Sequence, residues 1–260
     1  MQTRDAFSLA LAGLALLAGA LVADGGVSAI DSKVIRYTIL KGNQAVGEMR
    51  LEIMAIGDLT IIEERFTAPF RGKSGSREAG FKSQIIYKGD KKPAPSRGEV
   101  TTRIGDFKIM TGNVTFKQAE GAWAAEVAAT GFADTECKPF ENARNVAKTL
   151  PVPGDVLLTH AAFLHFAPRL LDGPGKVENV VHVEFPDDIG FPELLNVQPN
   201  CILERHAAKD DGNADITLHR VFAGGNIIPL LKMTVGTDGK VVEMTLGRFT
   251  LQPAASPLEK

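Results

Sequence analysis

The chain has little of almost everything that names a reaction. Its 260 residues hold two cysteines, one Trp, two Tyr and five His. No Cys-x-x-Cys pair, Walker motif or dinucleotide fingerprint occurs, so the common thiol-redox and nucleotide-binding signatures are absent. Gly72-Lys73-Ser74-Gly75-Ser76 approaches a nucleophile elbow, but Ser76 stands where the second Gly belongs. Charge of one sign is missing as well. The 29 basic and 31 acidic residues leave a formal charge of −2, with no global attraction to nucleic acid or to an anionic membrane. No repeat of fixed period and no run of βαβ units stands out.

One long hydrophobic run is present, at the beginning. Phe7–Ala23 is apolar and rich in Leu, Ala and Gly, follows Arg4, and precedes Val27-Ser28-Ala29. Small residues at those last positions suit a signal peptidase, so residues 1–29 read as a secretory signal peptide. The run is short and Gly-diluted for a bilayer span. The expected product is an exported chain, periplasmic or secreted, beginning near Ile30, without a stable membrane span. Without Arg4, Asp5 and Asp24 the balance is 28 basic to 29 acidic residues.

Charge is clustered even so. Arg71–Arg97 carries eight Lys or Arg against Glu78 and Asp90, and Glu178–Asp215 carries nine acids against Arg205 and Lys209. Both stretches are expected to be solvated loops. Cys137 and Cys201 survive cleavage. An even count in an exported chain makes them a disulfide candidate, worth ~4 kcal/mol in a chain-entropy account. Two separate buried thiols are the alternative.

Strand signals dominate the rest. Over Gln44–Ala55, Ala45, Gly47, Met49, Leu51, Ile53 and Ala55 alternate with polar residues, as in a strand wet on one face. Ile35, Tyr37 and Ile39 do the same, and Lys41-Gly42-Asn43 makes the turn between them. Further strands are expected at 59–66, 81–88, 101–110, 114–118, 123–130, 177–185, 201–208, 214–222, 227–235 and 241–251. Asp210-Asp211-Gly212-Asn213, Gly224-Gly225-Asn226 and Thr237-Asp238-Gly239 supply the positive φ of tight hairpins. Gly89–Gly98 is expected as a flexible loop, and 253–260 as a disordered tail. Val156–Leu171 differs: it is apolar nearly all round, can be capped by Asp155, and meets Pro168 near its last turn. Such a helix belongs inside a fold. The expected fold is therefore mainly β: one domain over 30–252, a curved antiparallel meander wrapping a central buried helix near 156–171. Two half-sheets sharing the helix are the alternative.

Candidate chemistry falls on the strands. Glu204 and His206 share a face, as do Thr217 and His219. A hairpin at 210–213 would bring Glu204 near His219 and His206 near Thr217. A carboxylate beside an imidazole can raise its pKa for acid–base work or offer metal ligands. Cross-strand charge pairing on a wet face is the plainer reading. His182 and Glu184 form another such pair, and Asp187-Asp188 follows without the density of a calcium loop. His160 and His165, five apart on a helix without Glu, do not make a zinc-protease motif. Trp123 alternates with Ala125, Val127 and Ala129, which leaves room beside its ring. With Leu157, Phe163 and Leu164 it marks the candidate wall of an apolar pocket. No cofactor is implied.

Tyr37-Thr38-Ile39, then Gly47-Glu48-Met49-Arg50-Leu51-Glu52-Ile53 and the turn at Gly57-Asp58, resemble the opening of exported proteins of unknown function from Gram-negative bacteria. The Pro-rich lead Leu150-Pro151-Val152-Pro153-Gly154 into an apolar helix adds to the likeness. The resemblance implies a curved antiparallel sheet. In similar folds, among them lipoprotein carriers of the outer-membrane pathway, an acyl chain lies between sheet and helix. No functional residue carries over. Three classes follow: a soluble envelope binding or scaffold protein with a lipid or other apolar ligand between sheet and helix; a metal-dependent or acid–base enzyme built on Glu204, His206 and His219; and a purely structural envelope protein.

Overall fold

The computed structural model describes residues 31–73, 75–89, 94–119, 122–154, 156–184, 196–247 and 249–254. The signal-peptide segment, Asp155, Asp187-Asp188 and 255–260 lie outside them. Eight strands come first: β1 (Asp31–Lys41), β2 (Gln44–Ile56), β3 (Leu59–Gly72), β4 (Gly75–Lys88), β5 (Ala94–Ile104), β6 (Phe107–Ala119), β7 (Ala122–Ala133) and β8 (Pro139–Val152). A short β9 (Val156–Leu158) leads into the helix α1 (His160–Leu170). Then come β10 (Gly175–Glu184), β11 (Asn196–Arg205), β12 (Ala214–Val221), β13 (Ile227–Val235), β14 (Val241–Leu246) and β15 (Phe249–Pro253).

All fifteen strands form one sheet, in the order β8-β7-β6-β5-β4-β3-β2-β1-β15-β14-β13-β12-β11-β10-β9. Every neighbouring pair is antiparallel except β9–β10. The meander arises because each strand turns straight back on its predecessor. The pairing of β1 with β15, Tyr37 opposite Pro253 and Ile39 opposite Leu251, joins the two arms.

The order itself forces the sheet to curl. β8 and β9 stand at opposite ends of it, yet only residues 153–155 separate Val152 from Val156. Four peptide steps span at most ~14 Å. Fourteen strand spacings laid flat would span ~67 Å. The ends are thus drawn together, with β8 against β11 and β9 against β5. They overlap without closing: β8 and β9 remain the sheet's termini.

The curl has an inner and an outer face. Ile39, Met49, Leu51, Ile62, Ile85, Val114, Val127, Leu203, Ile216, Leu218, Leu231, Met233 and Met244 are buried in a single core. Helix α1 fills the inside and touches β3 on one arm and β9, β10 and β13 on the other. Ala161, Ala162, Phe163, Leu164, Phe166 and Ala167 are all buried. Tyr87 meets Phe166 edge-on, with centroids 5.2 Å apart. Its hydroxyl lies 3.4 Å from Thr159 Oγ1. Among the described residues, no helix is long and apolar enough to cross a membrane.

Several expectations shift. The helix begins at His160, not Val156. Thr159 caps it, its hydroxyl accepting from Ala162 N at 3.2 Å. Val156–Leu158 instead pairs with Val180–His182 as a parallel edge strand, a use of apolar residues that helical periodicity cannot separate from a buried helical turn. The helix ends two residues past Pro168, and Arg205 donates to the Leu171 carbonyl at 2.7 Å. The strand expected at 101–110 is two, broken at Gly105 (φ +55°), and that at 241–251 is broken at Gly247 (φ +55°). β8 went unforeseen: its residues are mostly exposed on an edge strand, so alternation is faint. Among the described residues of 71–97 the chain is largely strand, not loop, and β3 and β4 pair antiparallel as far as Gly72 opposite Gly75, which is not the strand-to-helix turn of an elbow. Residues 94–98 belong to β5, and Pro253 belongs to β15.

Candidate functional site

The polar residues of the second arm gather on the outer face of β10–β13. Glu204 stands opposite Thr217, and Ile202 opposite His219. Just past β11, His206 N donates to the Asp215 carbonyl at 2.9 Å. The hairpin is therefore offset by two residues from the pairing expected, and Glu204 reaches His219 diagonally across the strands. The convergence survives the offset, because a shift of two residues keeps every side chain on its face. Ligand atoms of Glu204, His206 and His219 all lie within 4.8 Å of one another.

Each partner of Glu204 takes a different oxygen. His219 Nε2 is 3.4 Å from Oε2, and Lys176 Nζ is 3.2 Å from Oε1. Lys176 is brought there by the β10–β11 pairing, where it stands directly opposite Glu204. Sequence reasoning did not find it, because β10 carries two register shifts and a left-handed Asn179 (φ 58°). The Lys176 hydrogen bond is the main cause holding the Glu204 carboxyl below its usual range. His219 moves opposite to the expectation. Burial lowers its pKa and outweighs the upward pull of Glu204. Both ring nitrogens of His219 are buried, and neither makes a hydrogen bond. Such nitrogens are rarely left unsatisfied in folded proteins.

Asp215, beside this cluster, is fully committed. Burial raises its pKa, but hydrogen bonds from Lys209, Lys232 and Thr234 overcome that and bring it to about 2. Next to the cluster an open cleft of about 370 Å³ is lined by Asp172, Arg205, His206 and Thr237 among others. A second cleft, of about 300 Å³, lies by Gly47, Thr67 and Arg77.

The other candidates lie apart. His182 is not on a wet face: it is wholly buried, with its ring edge-on to His160 at 5.2 Å. Burial, and then His160, push its pKa well below 6.5. Leu157, Phe163 and Leu164 are buried in the packed core, and Trp123, opposite Val152 on β7, is half-buried against it. Neither cleft is lined by any of these four residues. Cys137 and Cys201 are buried in different surroundings and are not joined to each other. The Cys137 thiol points to the Ile104 carbonyl and the Cys201 thiol to that of Gln198.

The chain is similar in structure to a β-barrel-like protein of a domain of unknown function, DUF1849, from Brucella abortus. The TM-score is 0.48 at 10% identity, over 88% of this chain and 96% of that one. No protein-family model and no curated protein matches the chain.

Proposed function

We propose that this chain is an exported binding or scaffold protein of the cell envelope, working through its outer surface rather than through an apolar ligand held inside. The observation that supports this reading is the filled interior. A helix buried on nearly all sides occupies the space the curled sheet encloses, and Leu157, Phe163 and Leu164 are each at most 5% exposed. An acyl chain between sheet and helix would have to displace α1 and leave its contacts unmade. What remains for binding is the outer strand faces, the open clefts and the long edge strand β8.

Export rests on Phe7–Ala23 and Val27-Ser28-Ala29. The test is native mass spectrometry of protein purified from an envelope fraction, with N-terminal sequencing of the same sample. The expected result is a chain that begins near Ile30 and carries no lipid. Stoichiometric lipid would restore the interior-ligand reading, and an intact Met1 on a cytoplasmic protein would overturn export.

A further inference from the structure

We infer that Glu204, His206 and His219 form a binding site for a divalent transition-metal ion, with Zn2+ the best fit, on the outer face of β11 and β12. The donor set is two imidazoles and one carboxylate, which suits zinc and disfavours calcium and magnesium, ions that take oxygen ligands.

Spacing agrees with this assignment. Two ligands each ~2.1 Å from a tetrahedral ion stand ~3.4 Å apart. His219 Nε2 and Glu204 Oε2 are 3.4 Å apart. They are poised for an ion between them, and not aligned for a hydrogen bond to each other. His206 completes the set within 4.8 Å. It is exposed, so its ring is free to rotate the remaining distance.

The surroundings agree as well. Paired strands hold two of the ligands on a rigid base, with Thr217 directly opposite Glu204. Lys176 engages Oε1 at 3.2 Å, while Oε2 is the oxygen that faces His219. The Lys176 charge opposes a cation, so it limits affinity while orienting the carboxylate. Lys232, opposite Thr217 on β13, is engaged by Asp215 at 2.9 Å, and Lys209 by the same carboxylate at 2.8 Å. His206 also lines the 370 Å³ cleft, so the site is open to solvent on that side and an ion held there could complete its coordination with water.

The experiment is Zn2+ competition against a colorimetric chelator, using the protein as isolated, untagged and stripped with EDTA. One equivalent should bind. His206→Ala should weaken binding at least tenfold, and because His206 is exposed, this change leaves the fold intact. Glu204→Gln should weaken it similarly, whereas Lys176→Gln should tighten it several-fold by removing the opposing charge. Absence of saturable binding would overturn the assignment. So would binding of one equivalent that His206→Ala and Glu204→Gln leave unchanged, because the metal would then be held elsewhere in the chain.

Discussion

A Cβ built on Gly47 would stand 2.1 Å from the Thr67 carbonyl oxygen and 3.2 Å from Ala68 Cα. The obstacle is backbone, which cannot rotate aside. Gly47→Ala should therefore push β2 from β3 and cost about 1–3 kcal/mol, as overpacking does. A thermal melt should show a drop of ~2–4 °C per kcal/mol; an unchanged midpoint would show that the strands yield there freely. Gly47 was visible in the sequence as part of an alternating strand, but the reason for it was not, because Thr67 is twenty residues away. The histidines behave similarly. Burial first, then Arg169 and Lys33, lower the His165 pKa to about 4. His182 and His219 move in the same direction. The unfolded imidazoles protonate near 6.5. Stability from these groups is thus complete above that pH and is lost as pH falls from about 6.5 towards 4. Asp215 adds a separate loss only between about 3.8 and 2. Urea titrations at pH 7 and pH 5 should show lower stability at pH 5, with a shallower fall in His165→Gln. Equal stability at both pH values would mean that the buried rings take up protons in the folded state.

Helix α1 shows how an element can be legible in kind and not in extent. Its all-round hydrophobicity marked it as buried, and it is. Its start was misplaced by four residues, because Val156-Leu157-Leu158 is apolar in either role and only β10 decides between strand and helix. The packing predicts its energetics. Leu164 is 5% exposed in a core with no described cleft beside it, so Leu164→Ala should cost roughly 2–5 kcal/mol by chemical denaturation. A loss below ~1 kcal/mol would indicate that space already exists around the helix and would reopen the interior-ligand reading. On the outer face, the charge group around Asp215 sits on β12 and β13, with Lys209 and Lys232 half exposed. Asp215→Asn should cost only ~1 kcal/mol, since exposed partners are largely solvated anyway. A loss several times larger would point to a structural role for the whole network.

Across the molecule, one continuous ladder and one core predict one cooperative unit. The arms meet only at β1–β15 inside the ladder, but α1 bridges them within it. Heat or urea should give a single transition with coincident circular dichroism and Trp123 fluorescence. Two separated transitions would divide the arms into independent units. The alternating periods and Gly/Asn/Asp turns determined by themselves that the chain is an antiparallel meander, because both are local properties of the backbone. The apolar helix determined that something must enclose it. The curvature was expected from the sequence too, since a buried helix needs a sheet wrapped round it; tertiary structure alone decided that the curl overlaps without closing, that β8 and β9 are its edge strands, and that Glu204 meets His219 diagonally. Those depend on which strands end the sheet and on a two-residue offset, and a separation of three residues between the sheet's two ends acquires meaning only once the strand order is known.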